Sequence, residues 1–280
     1  MYPHDIIFGI GLYEICMVLG VIAAMTLFRV LADKRNLSAR LQNGVLFATP
    51  FALFVGYPAA VAVQWLYNGI RDKSFSSHIF SPSTGATFYG GLIGGALAFL
   101  AFYFVYGHFQ TKDREHLRHL PTILEIGPAA IAIAHAIGRI GCFFAGCCYG
   151  IRTDSFLGVY LDDPNIPHKV LPTQLFEATF LAALCALLVI RFLRNQRYAL
   201  PIYLVLYGVW RFLIEFLRGD DRGETVIPNL TPSQLTAVLL ILLGIGLTVL
   251  FRKTIYKRSP IGEREPIGKE NANAESGDAP

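Results

Sequence analysis

Charge is what this sequence has least of. Only 16% of its 280 residues are Asp, Glu, Lys or Arg, against about a quarter in an ordinary soluble chain. The deficit excludes a disordered chain and a nucleic-acid-binding tail protein. It also argues against one large soluble domain, because 24 Lys+Arg and 20 Asp+Glu give such a domain a thin polar skin. Positive charge is missing altogether before Arg29. The first apolar stretch therefore reads as a retained span and not as a cleaved signal peptide, which begins with basic residues. No fixed-period repeat is present, which argues against an inverted-repeat transporter. The five cysteines include no Cys-x-x-Cys pair, so the usual zinc-finger spacings are absent.

What is there is hydrophobic, 54% of the chain, in stretches of about 20 residues that match a hydrocarbon core. The expected fold class is an all-α polytopic membrane protein with seven spans. They run near 6–31, 45–66, 87–106, 123–144, 175–193, 202–217 and 235–251. Alternate loops differ sharply in basic residues. One set of loops plus the tail carries 16 Lys+Arg, the other 5. The positive-inside rule then places the N-terminus outside and the C-terminus in the cytoplasm. The expected division is a seven-helix membrane domain over 1–255 and a disordered cytoplasmic tail over 256–280, rich in Glu, Asn, Ala, Gly and Pro. The long outer loops near 69–86 and 150–172 read as irregular.

Three arginines fall within or at the ends of spans: Arg139, Arg211 and Arg218. An arginine near the bilayer centre costs about 2.5–3.5 kcal/mol on insertion scales and so faces the protein interior or a wet cavity. Tyr207, Arg211, Glu215 and Arg218 are spaced four, four and three, which puts them on one helix face. Glu215 can pair with both arginines. One reading is an ion-pair network that locks helices together. The other is a cleft for an anion, since the planar guanidinium fork matches phosphate oxygens. In a membrane the natural phosphate-bearing ligand is a phospholipid.

The run from His135 to Gly150, HAIGRIGCFFAGCCYG, holds four glycines and three cysteines. Gly138, Gly141 and Gly146 permit close approach or unwinding, and non-helical backbone at membrane depth must line a cavity or be buried in protein. The segment is expected to line the cavity of Arg139, with Gly141, Gly146 and Gly150 at the substrate. His135 lies four residues before Arg139, on the same face. Cys142, Cys147 and Cys148 admit several readings: a zinc site with His135 as fourth ligand, a disulfide from Cys142, a reactive thiol, or small packing residues. The last is preferred. Cys16 and Cys185 read as packing residues.

Several stretches together resemble the prolipoprotein diacylglyceryl transferase family. They are Phe88-Tyr89-Gly90-Gly91-Leu92-Ile93-Gly94, Gly138-Arg139-Ile140-Gly141, Pro172-Thr173-Gln174-Leu175-Phe176-Glu177, and Tyr207 to Arg218. The resemblance covers residues 5–255. It implies a bacterial inner-membrane transferase that moves a diacylglyceryl group from phosphatidylglycerol to the lipobox cysteine of a preprolipoprotein and releases glycerol phosphate. It further implies that Arg139 and Arg211 hold the lipid phosphate, that Glu215 and Arg218 support or gate the cavity, and that Tyr13 is required. The family's usual residues are replaced at four places, by Tyr89 for His, Cys142 for Asn, Cys147 for Glu and Tyr57 for Arg.

Thiol alkylation needs a thiolate and a stabilised leaving phosphate. The expected catalytic residues are Tyr89, His135, Arg139 and Arg211, with His135 or Tyr89 receiving the thiol proton. The expected substrate-binding residues are Tyr13, Arg139, Arg211, Glu215, Arg218, Gly141, Gly146 and Gly150. No cofactor and no metal are assigned. The expected partners are phosphatidylglycerol, the preprolipoprotein signal peptide and membrane lipids, and no nucleic acid. Two other readings stay open. One is a divergent paralogue that passes the lipid group to another acceptor. The other is a lipid-binding or transport protein without enzymatic activity.

Overall fold

The computed structural model describes residues 11–71, 73–75, 78–81, 84–85, 87–111, 114–161, 166–219 and 230–254. Within them are α1 (Leu12–Asp33), α2 (Ala39–Arg71), α3 (Phe88–Gln110), α4 (Glu115–Arg118), α5 (Leu120–Phe144), α6 (Thr173–Leu193), α7 (Ala199–Ile214) and α8 (Pro232–Lys253). A single 3-10 turn, Glu215–Leu217, follows α7. All but α4 are long and apolar enough to cross a membrane, seven in total. The expected all-α, seven-span architecture therefore stands, with helix ends shifted by a few residues from the apolar runs. Large apolar side chains such as Val18, Phe54, Leu97 and Leu239 are exposed, as a lipid-facing surface requires. Residues 1–10 and the tail from 255 onward, with the expected cytoplasmic tail, lie outside the described residues.

The chain forms two compact units. The smaller, Asn36–Leu120, is built on α2 and α3. Their contact is a seam of small residues. A Cβ on Gly90 would stand 2.9 Å from the Ala59 carbonyl oxygen, and one on Gly56 would stand 3.1 Å from that of Gly91. Helices in lipid gain no hydrophobic term from associating, so close backbone approach of this kind holds them together. At the far end of α3, the Tyr103 hydroxyl donates to the His116 carbonyl at 2.6 Å and pins α4.

The larger unit, Met1–Arg35 with Pro121–Pro280, carries α1 and α5 to α8. Glycines again set the contacts. A Cβ on Gly20 of α1 would meet the Ala134 carbonyl oxygen of α5 at 2.9 Å. Gly208 of α7 and Gly244 of α8 lie as close to the Ala237 and Pro201 carbonyl oxygens, at 2.9 and 3.0 Å. A core of Ala129, Ala132, Leu184, Cys185, Leu188, Ala199 and Tyr203 joins α5, α6 and α7, so Cys185 is the packing residue expected of it. Glu125 of α5 is almost fully buried. Its two carboxylate oxygens accept from the Tyr198 and Ala199 amides at 3.0 and 2.9 Å. That satisfies orphan donors at the start of α7 and places negative charge at its positive end.

The loop after α5 is ordered by main-chain hydrogen bonds. Val159 and Val170 exchange both of theirs, at 3.0 and 2.9 Å. Leu161, Ile166 and Val170 form a small core beneath them. The loop has isolated β-bridges, which agrees with an irregular segment that folds on itself.

Candidate active site

Four helices of the larger unit deliver the polar side chains. On α5, His135 and Arg139 are one turn apart, and Cys142 follows three residues later on the same face. On α6, Glu177 is buried to 0% exposure and acts as a hub. Its Oε2 meets Arg139 Nε at 2.9 Å. Its Oε1 accepts from the Tyr207 hydroxyl at 3.0 Å and lies 4.0 Å from His135 Nε2. The His135 and Tyr207 rings meet edge to face at 5.1 Å. One carboxylate thus orients residues from α5 and α7 together. A buried carboxylate needs this, since its desolvation is repaid only by opposite charge and hydrogen bonds.

Arg211 of α7 has a second set of partners. Its Nη2 is 2.9 Å from Glu215 Oε2 and donates to the Ser233 hydroxyl at 2.6 Å. Glu215 Oε1 accepts from the Thr231 hydroxyl at 2.7 Å. Thr231 is also the N-cap of α8, in a capping box with Gln234 and with Pro232 next in line. The sequence Thr-Pro-Ser-Gln starts a helix for local reasons, and that start clamps the Arg211–Glu215 pair. Arg211 Nη1 is buried and has no hydrogen-bond partner among the described residues. Both Arg139 and Arg211 act electrostatically on Tyr207 and on His135, so the two arginines converge on one region.

The third arginine departs from the expected stripe. The α-helix ends at Ile214, a 3-10 turn covers Glu215–Leu217, and Arg218 is extended, with φ −83° and ψ 142°. Arg218 pairs by main chain with Gly150. It has left the helix face shared by Tyr207, Arg211 and Glu215. Its guanidinium reaches the Cys148 thiol.

The glycine-rich run divides between the two readings, close approach inside the helix and unwinding beyond it. α5 continues unbroken through Gly138, Arg139 and Gly141 as far as Phe144. Gly141 serves helix packing, where a Cβ would stand 3.0 Å from Cys16 Cβ and 3.4 Å from Tyr13. This brings the first turn of α1, with Tyr13, against α5 beside Cys142. The backbone breaks only beyond the helix. Gly146 has φ +71° and Cys148 has φ +65°, both in the left-handed region. Gly150 sits where a Cβ would collide with the Leu217 carbonyl oxygen at 2.6 Å, so only glycine fits beneath the strap that carries Arg218.

That left-handed turn folds Cys147 and Cys148 back toward Cys142, and the three sulfurs lie within 4.8 Å of one another. His135 is not in the group. The cysteines are free thiols. Hydrogen bonds from Cys142 and Cys147, with the Arg218 guanidinium, hold the Cys148 thiol below the ordinary thiol range. Hydrogen bonding to Cys142 pushes the Cys147 thiol up. The turn is pinned from α6. The Thr173 hydroxyl donates to the Cys148 carbonyl at 2.8 Å, and Gln174 Nε2 donates to the Cys147 carbonyl at 2.5 Å.

The larger unit therefore brings together Tyr13, His135, Arg139, Gly141, Gly146, Gly150, Arg211, Glu215 and Arg218. Tyr89 stands in the first turn of α3, in the smaller unit, and its side chain lies outside the described residues. Sequence reasoning gave no role to Glu177, Ser233 or Thr231. Glu177 had a signal: an acidic residue inside an apolar span is costly unless paired.

Seven helices able to span a membrane, with two carboxylate-held arginines within the larger unit, define a polytopic membrane protein. The family follows from comparison with known proteins. A family model described as Prolipoprotein diacylglyceryl transferase matches residues 4–250, and the chain belongs to that family. Among its relatives is the phosphatidylglycerol–prolipoprotein diacylglyceryl transferase of Clostridium tetani, 30% identical over 85% of this chain and 93% of that protein. A second transferase of that name from Clostridium perfringens is 30% identical over 85% and 91%. The Finegoldia magna protein is 30% identical over 90% and 96%.

Proposed function

We propose that this protein transfers a diacylglyceryl group from phosphatidylglycerol to the lipobox cysteine thiol in a preprolipoprotein signal peptide, releasing glycerol phosphate. It works in the bacterial cytoplasmic membrane, with its N-terminus outside and its C-terminus in the cytoplasm. The observation that carries the reading is the buried Nη1 of Arg211, which has no hydrogen-bond partner among the described residues, in a region that Arg139 shares. A guanidinium held on one side by Glu215 and Ser233 presents its remaining N–H groups to an anion in fixed geometry. Arg139 spends Nε on Glu177, which leaves its terminal nitrogens for the same purpose.

In the reaction the thiol sulfur attacks the glyceryl carbon next to the phosphate. The carbon–oxygen bond breaks and its electron pair goes to the phosphate oxygen. Preorganised arginines stabilise the charge that develops there, the kind of term worth about 3–4 kcal/mol per donor. His135, oriented by Glu177 and Tyr207, is the group assigned to receive the thiol proton. Tyr89 is the second candidate for that role. Tyr13 and the turn through Gly146 and Gly150 border the peptide's path.

Two measurements test the reading. The gene is expressed in a strain depleted of its lipoprotein transferase, and membranes containing only this enzyme are given labelled phosphatidylglycerol and a lipobox peptide. Rescue, with label on the peptide and glycerol phosphate released, is the expected result. Phospholipid binding without glycerol phosphate release overturns the enzymatic reading. Release without peptide labelling overturns the acceptor.

A further inference from the structure

The thiol cluster is not needed to bind phosphate, and its geometry is specific. Three sulfurs lie within 4.8 Å of one another. A triangle of that side has its centre roughly 2.8 Å from each corner, and a zinc–sulfur bond is about 2.3 Å. Each sulfur therefore needs to move by only about half an ångström to share one ion. The turn that makes the cluster is strained. Cys148 has φ +65°, which costs a side-chain-bearing residue about 1–2 kcal/mol. Thr173 and Gln174, both almost fully buried, hold the two peptide carbonyls that fix this conformation. Strain held by its surroundings is a feature of ligand clamps.

Charge and access fit as well. Three thiolates and one divalent ion carry a net single negative charge, and the Arg218 guanidinium beside Cys148 neutralises it. Cys147 is exposed while Cys142 and Cys148 are half-buried, so the cluster is open on one side. Three protein ligands and one open position are the pattern of zinc sites that do chemistry, as opposed to the closed four-ligand structural sites. Cys142 lies three residues beyond Arg139 on one face of α5, which places the cluster roughly 4.5 Å further along the helix axis.

We propose that Cys142, Cys147 and Cys148 hold a thiophilic divalent metal ion, Zn2+ foremost, whose fourth position takes the thiol of the acceptor peptide. The proposal rests on the transferase reading above and assigns how its nucleophile is prepared. A coordinated thiol is deprotonated outright, and the thiolate is the reactive form. The proton leaves to solvent on the exposed side or to His135. The peptide sulfur then forms its bond to the glyceryl carbon as the carbon–oxygen bond breaks toward phosphate. The ion keeps its charge throughout, so no electron donor or acceptor is required.

The test uses the full-length protein in detergent, reduced with a phosphine and loaded with Zn2+ or, for spectroscopy, Co2+. The expected result is one Zn2+ per chain. Cys147→Ser and Cys148→Ser weaken it by more than about 100-fold, beyond what loss of an outer partner of a metal ligand costs. Cys147 is exposed, so its variant keeps the fold, as the elution profile of the purified protein checks. Adding a lipobox peptide intensifies the thiolate-to-Co2+ charge-transfer bands, and the same peptide with serine in place of cysteine does not. Equal Zn2+ binding by the wild type and the triple serine variant overturns the proposal. So do bands indifferent to the peptide thiol. Metal binding and peptide ligation without lipid transfer sink the transferase reading and leave the metal site standing. Lipid transfer by a zinc-free wild-type chain does the reverse.

Discussion

Arg139 of α5 and Glu177 of α6 meet at 2.9 Å, and the same carboxylate receives the Tyr207 hydroxyl of α7. Three helices are thus registered by one acidic side chain. Glu177→Gln keeps the size and one acceptor oxygen but leaves the Arg139 charge uncompensated. Breaking a buried pair from one side costs about 3–5 kcal/mol. The expected outcome is a lower thermal midpoint in detergent and a loss of lipid transfer of roughly 100-fold. Unchanged thermal stability would show that Glu177 is not the hub described.

Arg211 makes a different demand. Its Nη2 serves Glu215 and Ser233, and the proposed phosphate takes the rest of the fork. Arg211→Lys supplies a point charge without the fork. Transfer should fall by about 10²-fold, the scale of losing one preorganised donor, with phosphatidylglycerol affinity reduced less than turnover. A lysine variant as active as the wild type contradicts a forked phosphate contact.

The architecture was legible from the distribution of apolar and charged residues along the chain. Apolar runs of membrane length gave all seven spans, and the cost of intramembrane charge singled out Arg139 and Arg211. What stayed hidden depends on where helices end and cross. The spacing of Tyr207, Arg211, Glu215 and Arg218 fits one continuous helix, but the helix gives way to a 3-10 turn after Ile214 and sends Arg218 to Gly150. Glycines at 138 and 141 left close approach and unwinding equally open. They lie in intact helix, and Gly141 is filled by Cys16 and Tyr13 from a partner helix that the local sequence does not name. Acidic residues in spans were ambiguous for the same reason. Glu125 caps the amides that start α7, whereas Glu177 holds Arg139, and only the packing tells them apart. The cysteine cluster is invisible to spacing rules because adjacent Cys147 and Cys148 converge with Cys142 only through the left-handed turn at Gly146 and Cys148.

Tyr207 separates orientation from charge. Its hydroxyl bond to Glu177 Oε1 is 3.0 Å long, and its ring packs against His135 and stacks on Tyr203. Tyr207→Phe keeps the rings in place and removes one hydrogen bond to a charged group, worth about 1.5–3 kcal/mol. Expression and folding should hold, while transfer falls about 10-fold or more. Replacing His135 by Ala in the same background should then add less than it does alone, because both side chains act on Glu177. Full additivity in this double-mutant cycle would separate them.

Two glycines predict opposite signs. A Cβ on Gly208 would come within 2.9 Å of the Ala237 carbonyl oxygen and 2.8 Å of Ile241, where α7 crosses α8. Backbone cannot yield there without parting the helices, and α8 carries the Thr231 and Ser233 clamps of the arginine pair. Gly208→Ala should therefore cost about 1–3 kcal/mol, the range for overpacking, and lower transfer as well as the thermal midpoint. Gly246 lies further along α8 and is exposed, with nothing within 4 Å of a Cβ. Gly246→Ala removes only the helix penalty of glycine, about 0.5–1 kcal/mol, so it should raise the midpoint and leave transfer unchanged. Thermal denaturation of the two variants side by side decides the matter. Equal and small effects of both would mean that α7 and α8 are not in backbone contact at Gly208.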